Sequence, residues 1–201
     1  MTIRPAGKKR RLVDPILQHE VAALRSVTSG EWRTFFDLLL LTGIRTSEAL
    51  ALTPRDLWEL DGRRGIHVLR LKARVEVEPA KIEIPDPVLL AQLDALARAR
   101  RRTLFSFGRV AVWKALKRFC ALAGIRRLSP HQFRHTFARE HAKYPFVDAS
   151  GRPISALDHQ ILLAQDLGHS SPRWVAIYFQ PHGDELMAQT AQVGAIFKDW
   201  N

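Results

Sequence analysis

Apolar residues at helical spacing run through most of this 201-residue chain, and one window interrupts them. From Leu57 to Ile84 the period changes. Ile66, Val68, Leu69 and Leu71 mark one strand-like run, while Val75, Val77, Ile82 and Ile84 alternate with other residues, several charged, and mark two more. Gly62 and Gly65 allow turns, and Pro85 ends the window. A chain of amphipathic helices with one short β segment has few ways to bury its apolar faces. The expected fold is α+β, mainly helical, with a small three-stranded antiparallel sheet.

The helical stretches follow in order. Asp14-Pro15 opens a run with Ile16, Leu17, Val21 and Leu24, and Gly30 punctuates it. Trp32 to Leu41 is more continuously apolar and reads as a buried helix. Pro87 to Arg102 and Arg109 to Leu122 are amphipathic, and the second turns Arg109, Lys114, Lys117 and Arg118 outward. Lys143 to Pro153 is rich in turn formers and reads as a loop before a helix from Ile154 to Leu167. Ser170-Ser171-Pro172 restarts a helix as far as Tyr178, and Asp184 to Trp200 is a final helix with an apolar stripe.

Charge bounds the partners. Lys and Arg number 31 against 20 Asp and Glu, a net +11, which favours a polyanion: nucleic acid first, an anionic membrane surface second. Residues 1 to 13 hold Lys8-Lys9-Arg10-Arg11, an arm suited to phosphate or an ordinary solvated tail. Apolar residues make up 46%, enough for a proper core. Cys120 is the only cysteine, so a disulfide framework within the chain and a cysteine zinc site are excluded and a reducing compartment, the cytoplasm, fits. The longest apolar run, around Phe35 to Leu41, is far too short to span a bilayer.

The polar residues that stand out begin at Leu128. Ser129 suits an N-cap, Pro130 the first helical position, and Gln132 the third position of a capping box. His131 and Arg134, three apart, then share a face near a helix start, where backbone N–H groups and the helix dipole favour an anion. Upstream, Gly43 permits a tight turn, Thr46 can cap the next helix, and Arg45 sits between the two helices. Arg45 is placed there either to present a guanidinium to an anion or to pair with Glu48. Lys72 follows where one strand turns into the next, and Lys81 starts the last strand. His169 comes directly after Gly168, and Tyr178 lies nine residues further on. His131, His135 and His169 as zinc ligands is a minor alternative, because the acidic partner of a zinc-protease helix is missing.

Arg45, Lys72, His131, Arg134, His169 and Tyr178 suit phosphoryl transfer through a tyrosine nucleophile. Two guanidiniums can neutralise non-bridging oxygens as charge builds. A tyrosine can form a covalent phosphoester, histidine can steer its proton, and lysine can protonate a leaving alkoxide. Paired carboxylates for Mg²⁺ are absent from these positions, so a two-metal mechanism has no support in the sequence.

In this order the residues resemble the tyrosine recombinase (phage integrase) family over nearly all of residues 15 to 180. Thr42-Gly43-Ile44-Arg45-Thr46-Ser47-Glu48 is similar to its first arginine motif, His131-Gln132-Phe133-Arg134-His135-Thr136 to its His-x-x-Arg motif, and Leu167-Gly168-His169-Ser170-Ser171 with Tyr178 to its closing block. The resemblance implies a catalytic domain at 15–201 behind a basic arm at 1–14, with no N-terminal DNA-clamping domain in this chain. It implies attack by Tyr178 on a scissile phosphate to form a 3′-phosphotyrosyl link, and a phosphate clamp of Arg45 and Arg134. His131 would assist proton transfer, His169 would hydrogen-bond the phosphate, and Lys72, preferred over Lys81, would act as general acid. It further implies double-stranded DNA as partner, no cofactor or ATP, and a homo-tetramer joined through the helix 184–200. The host would be bacterial, or the chain phage- or plasmid-borne. Two other readings use the same fold: a type IB-like topoisomerase, and a DNA-binding regulator without catalysis. The sequence departs from the family's usual pattern in Phe179-Gln180-Pro181 after the tyrosine, where a Thr-His pair is more usual, and in about a dozen extra residues between Arg134 and His169.

Overall fold

A computed structural model of the chain describes residues 14–69, 79–143, 150–168 and 171–179. Lys72, His169, the arm at 1–13, the strand read around Val75 and Val77, and the helix read at 184–200 therefore lie outside the described residues.

Seven α-helices are described: α1 (Gln18–Val27), α2 (Gly30–Thr42), α3 (Thr46–Ala51), α4 (Pro87–Ala99), α5 (Arg109–Leu122), α6 (Pro130–Lys143) and α7 (Ala156–Asp166). Three strands, β1 (Leu57–Leu60), β2 (Arg63–Val68) and β3 (Ala80–Glu83), form an antiparallel sheet in the order β1-β2-β3. The mainly helical α+β expectation holds, with its small three-stranded antiparallel sheet: β2 and β3 lie in the runs expected at Ile66–Val68 and Ile82, and β1 lies upstream of both. Its first strand is Leu57–Leu60, joined to β2 through Asp61-Gly62, both at positive φ (50° and 74°) as a tight hairpin turn requires. Leu57 faces Ile66, which in turn faces Ile82.

The first helix also starts later than expected. Asp14-Pro15 lies outside the helix, and Leu17 is the N-cap, its N–H donating to Glu20 Oε2 at 2.8 Å. This leading segment is tied to α6: Ile16 N–H donates to Thr136 Oγ1 at 2.8 Å, and Gln132 Nε2 donates to the Asp14 carbonyl at 3.1 Å. Arg126 adds an ion pair to Glu20 at 2.7 Å. Burial pulls the Glu20 carboxyl upward, but Arg126 and the Leu17 N–H outweigh it and hold it below the ordinary range.

α2 is buried along most of its length, which is why its sequence reads as continuously apolar. Its aromatic residues organise the core. Trp32 stacks on Phe107 at 3.7 Å between ring centroids, Phe35 packs edge-on to Phe105, and Phe36 stacks on Phe133 of α6 at 5.5 Å. Ile66, Val68 and Ile84 bring the sheet onto this same cluster. A second, smaller cluster of Ala138, Leu163, Ala164, Leu167 and Val175 lies on the other side of α6. Phe133 thus faces one core and Ala138 the other, and α6 is the shared wall.

Candidate active site

The turn carrying Arg45 is built around a glycine. Gly43 closes α2 in the left-handed region, φ 62°, with its N–H bonded to the Leu39 carbonyl at 3.0 Å. A Cβ at this position would lie 2.3 Å from a Phe137 ring carbon, so only glycine lets α6 approach so closely. Arg45, not Thr46, occupies the N-cap of α3, and Thr46 is the first helical residue. The capping is done by Glu48. Its Oε2 accepts the Arg45 N–H at 2.8 Å and its Oε1 pairs with the Arg45 guanidinium at 2.7 Å. Glu48 is buried, so the ion pair weighed as an alternative for Arg45 is formed, and it also fixes where the guanidinium sits.

α6 begins as its sequence implies. Pro130 is the first residue, and Gln132 Oε1 accepts the Ser129 N–H at 2.7 Å. His131 is exposed, Arg134 is 3% exposed, and His135 is half-buried one turn beyond His131. Arg134 reaches across the molecule. One Nη donates to the Gly43 carbonyl at 2.9 Å and the other to the Leu167 carbonyl. Arg45, Ser47, His131 and Arg134 line one open cavity of about 250 Å³, and Arg109 and Trp113 of α5 line it too. Three guanidiniums and an imidazole around one hollow form a strong attractor for an anion with several oxygens.

Tyr178 lies not in the helix read there but in the second of two short 3-10 turns, Pro172–Trp174 and Ala176–Phe179. Its ring packs on the smaller cluster, against α6 and α7. Its hydroxyl lies 2.6 Å from His135 Nδ1. The His135 ring meets the His131 ring edge to face, 4.5 Å between centroids. Phenol, imidazole and imidazole therefore form a line that ends at the cavity rim. Burial pushes the His135 pKa down to about 4, helped by His131 and Arg134. The ring is neutral near pH 7, so with Nδ1 unprotonated the phenol donates to it.

Behind the tyrosine turn sits a second histidine pair. His159 of α7, 6% exposed, has Nε2 3.3 Å from His141 Nδ1, and His141 Nε2 is 3.4 Å from the Asp166 carboxylate. The Phe179 ring packs edge-on to His159 at 4.8 Å. Burial and then His141 push the His159 pKa down.

Arg45, His131 and Arg134 thus share a cavity, and Tyr178 connects to its rim through His135. Lys81 does not line this cavity. It lies in β3 opposite His67, with Nζ 4.2 Å from the centre of the Trp58 ring. The sequence motifs assign no role to two further participants. His135 shares the face of His131 by its four-residue spacing, and Trp113 is an exposed tryptophan one turn beyond Arg109 on α5.

The model for "Phage integrase family" matches residues 16–184. No curated protein matches the chain. Among solved structures, the fold is similar to XerH site-specific recombinase bound to difH substrate in a pre-cleavage complex (20% identity, TM-score 0.64, 85% of this chain and 51% of that one). It is similar to XerA recombinase (18% identity, TM-score 0.68, 94% and 66%). It is also similar to a lambda integrase tetramer bound to a Holliday junction (18% identity, TM-score 0.61, 90% and 52%). The chain spans about half of the first and third of these proteins and 66% of the second. The family match takes in the Arg45 turn, the His131–Arg134 helix and the Tyr178 turn together, and on it the chain belongs to the phage integrase family of tyrosine recombinases.

Proposed function

We propose that this chain is the catalytic part of a site-specific DNA recombinase that cuts and rejoins double-stranded DNA through a covalent tyrosyl intermediate. The observation that carries this reading is the cavity shared by Arg45, His131 and Arg134, with the Tyr178 phenol tethered to the same helix, α6, that supplies two of its walls. Arg45 and Arg134 hold the scissile phosphate and stabilise the charge that builds on its non-bridging oxygens. Tyr178 attacks phosphorus to form a 3′-phosphotyrosyl ester, and the 5′ oxygen leaves with a proton from Lys72. His131 assists proton transfer, and His169 hydrogen-bonds the phosphate. Attack by a partner strand's 5′-hydroxyl reverses the step and exchanges the strands. The ester conserves the phosphodiester's energy, so neither ATP nor metal is required.

The arm at 1–14 adds contacts to DNA phosphate, residues 15–201 form the catalytic unit, and the active form is a tetramer on two DNA sites, joined through residues 184–200. The chain's net charge of +11 supports the DNA partner. The test is a covalent trap. Wild-type protein and Tyr178→Phe are incubated with a pool of nicked duplexes of randomised core sequence, and DNA resistant to detergent is recovered. Wild type retains DNA, with the phosphate on Tyr178 by mass spectrometry, and Tyr178→Phe retains none. An adduct equal in both proteins, mapped to another residue, or absent from both overturns the reading.

A further inference from the structure

We propose that His135 is a catalytic residue of the same reaction: it holds the Tyr178 phenol by its hydroxyl and takes the phenol's proton as the phosphoester forms. This rests on the recombinase reading and adds a residue to it. The 2.6 Å separation between the Tyr178 oxygen and His135 Nδ1 places the imidazole on the reacting atom itself, in the range a general base needs. The contact joins residues 43 apart in sequence, so it is made by the fold and not by local chain geometry. It also sets the phenol at one place relative to the cavity. His131, Arg134 and His135 lie on one face of α6, and the two imidazole rings touch edge to face.

The balance of the step is simple. The Tyr178 oxygen bonds to phosphorus as the bond from phosphorus to the 5′ oxygen breaks. The phenol proton moves to His135 Nδ1, and Lys72 gives a proton to the leaving 5′ oxygen. In the return half the attacking 5′-hydroxyl gives its proton to Lys72, and the protonated His135 returns its proton to the departing phenol. No oxidant, metal or further reactant enters.

The surroundings suit this task. Burial, His131 and Arg134 keep the His135 ring neutral in the free protein, and in the tautomer with its proton on Nε2 the Nδ1 accepts from the phenol. Among the described residues, the groups that bear on the ring are His131 and Arg134 from its own helix and Tyr178 from the turn packed on it. A DNA phosphate in the cavity adds a negative charge beside the same two cationic side chains. That offsets their effect on His135 and raises its basicity when substrate is present.

The experiment measures the rate of adduct formation against pH, using the nicked duplex pool and three proteins: wild type, His135→Ala and His135→Asn. At neutral pH, His135→Ala is expected to be slower by about 10²–10⁴-fold, the range for a positioned proton acceptor. Its deficit should shrink as pH rises, because hydroxide takes over deprotonation of the phenol, while the wild-type profile stays flat above neutrality. His135→Asn keeps a polar group of similar reach and should hold the phenol yet retain most of the deficit. Duplex binding by filter retention should match wild type in both variants. A deficit constant across pH overturns the proposal in favour of a packing role. An adduct rate equal to or above wild type overturns it in favour of a contact that merely parks the tyrosine. An adduct absent from wild type as well overturns the recombinase reading itself, so the two failures are distinguishable.

Discussion

At the scale of single residues, Arg45 and Glu48 form the unit on which the cation turn depends. Glu48 satisfies both the Arg45 backbone N–H and its guanidinium from a buried position. Truncation of Glu48 to Ala leaves the part-buried Arg45 donors without their carboxylate. Such a loss costs about 1–3 kcal/mol, read as a shift in the denaturant midpoint. The same variant should form less phosphotyrosyl adduct than wild type at equal folded fraction, because Arg45 is no longer held at the cavity wall. Gly43 is a second such position. Gly43→Ala must accept a left-handed backbone, at roughly 1–2 kcal/mol, together with a clash against Phe137. It is therefore expected to be the more destabilising of the two in urea titration, and wild-type stability in it would mean that α6 packs less tightly on the Gly43 turn than the Phe137 approach implies.

At the scale of elements, α6 joins the two cores, and its contacts with α7 and the tyrosine turn carry two depressed histidines. His135 is held near pKa 4, and His159 is also pushed down. An unfolded chain takes up protons on both near about pH 6.5, before the folded one does. Protonation therefore favours unfolding: stability contributed by these neutral rings is full above about pH 6.5 and declines as pH falls below it, for His135 toward about 4. Thermal melts across this window should show a falling midpoint, and His159→Gln should flatten the fall. A midpoint independent of pH through the window would contradict the burial of these rings. Hydrogen exchange at mildly acid pH should open α7 before α2, whose buried Phe35, Leu38 and Leu39 are apolar and whose buried carboxylate, Asp37, is paired with Arg25 and Arg33.

For the molecule as a whole, the exposed cations of α5 set an expectation for DNA binding. Lys114, Lys117 and Arg118 project from the side opposite Val112 and Leu116. Removal of Lys114 and Lys117 should lessen the slope of log affinity against log salt by about 0.9 for each phosphate no longer neutralised. An unchanged slope would put the duplex on another face. Much of this architecture is legible in the sequence, since α2, α5 and α6 bury stripes long enough to show the helical period. β1 is not. Leu57-Trp58-Glu59-Leu60 does not alternate, and only Asp61-Gly62 announces a hairpin. The tyrosine turn reads as a helix because Pro172 to Tyr178 is too short for periodicity to separate an α-helix from successive 3-10 turns. That Arg45, His131 and Arg134 belong together is legible from motif order, whereas the part of His135 is not. A contact between α6 and a turn 43 residues later leaves no mark on local spacing.

Arg134 holds the Gly43 carbonyl on one side and the Leu167 carbonyl on the other, so it fastens together stretches from opposite ends of the described chain. A half-finished molecule, in which α7 has not yet docked, lacks the Leu167 side of this rivet, and Arg134 is then held at the cavity wall by the Gly43 carbonyl alone of the two. An anion that bridges Arg45 and Arg134 is therefore gripped only once the tertiary structure is complete, so anion binding and docking of the last described helix are coupled.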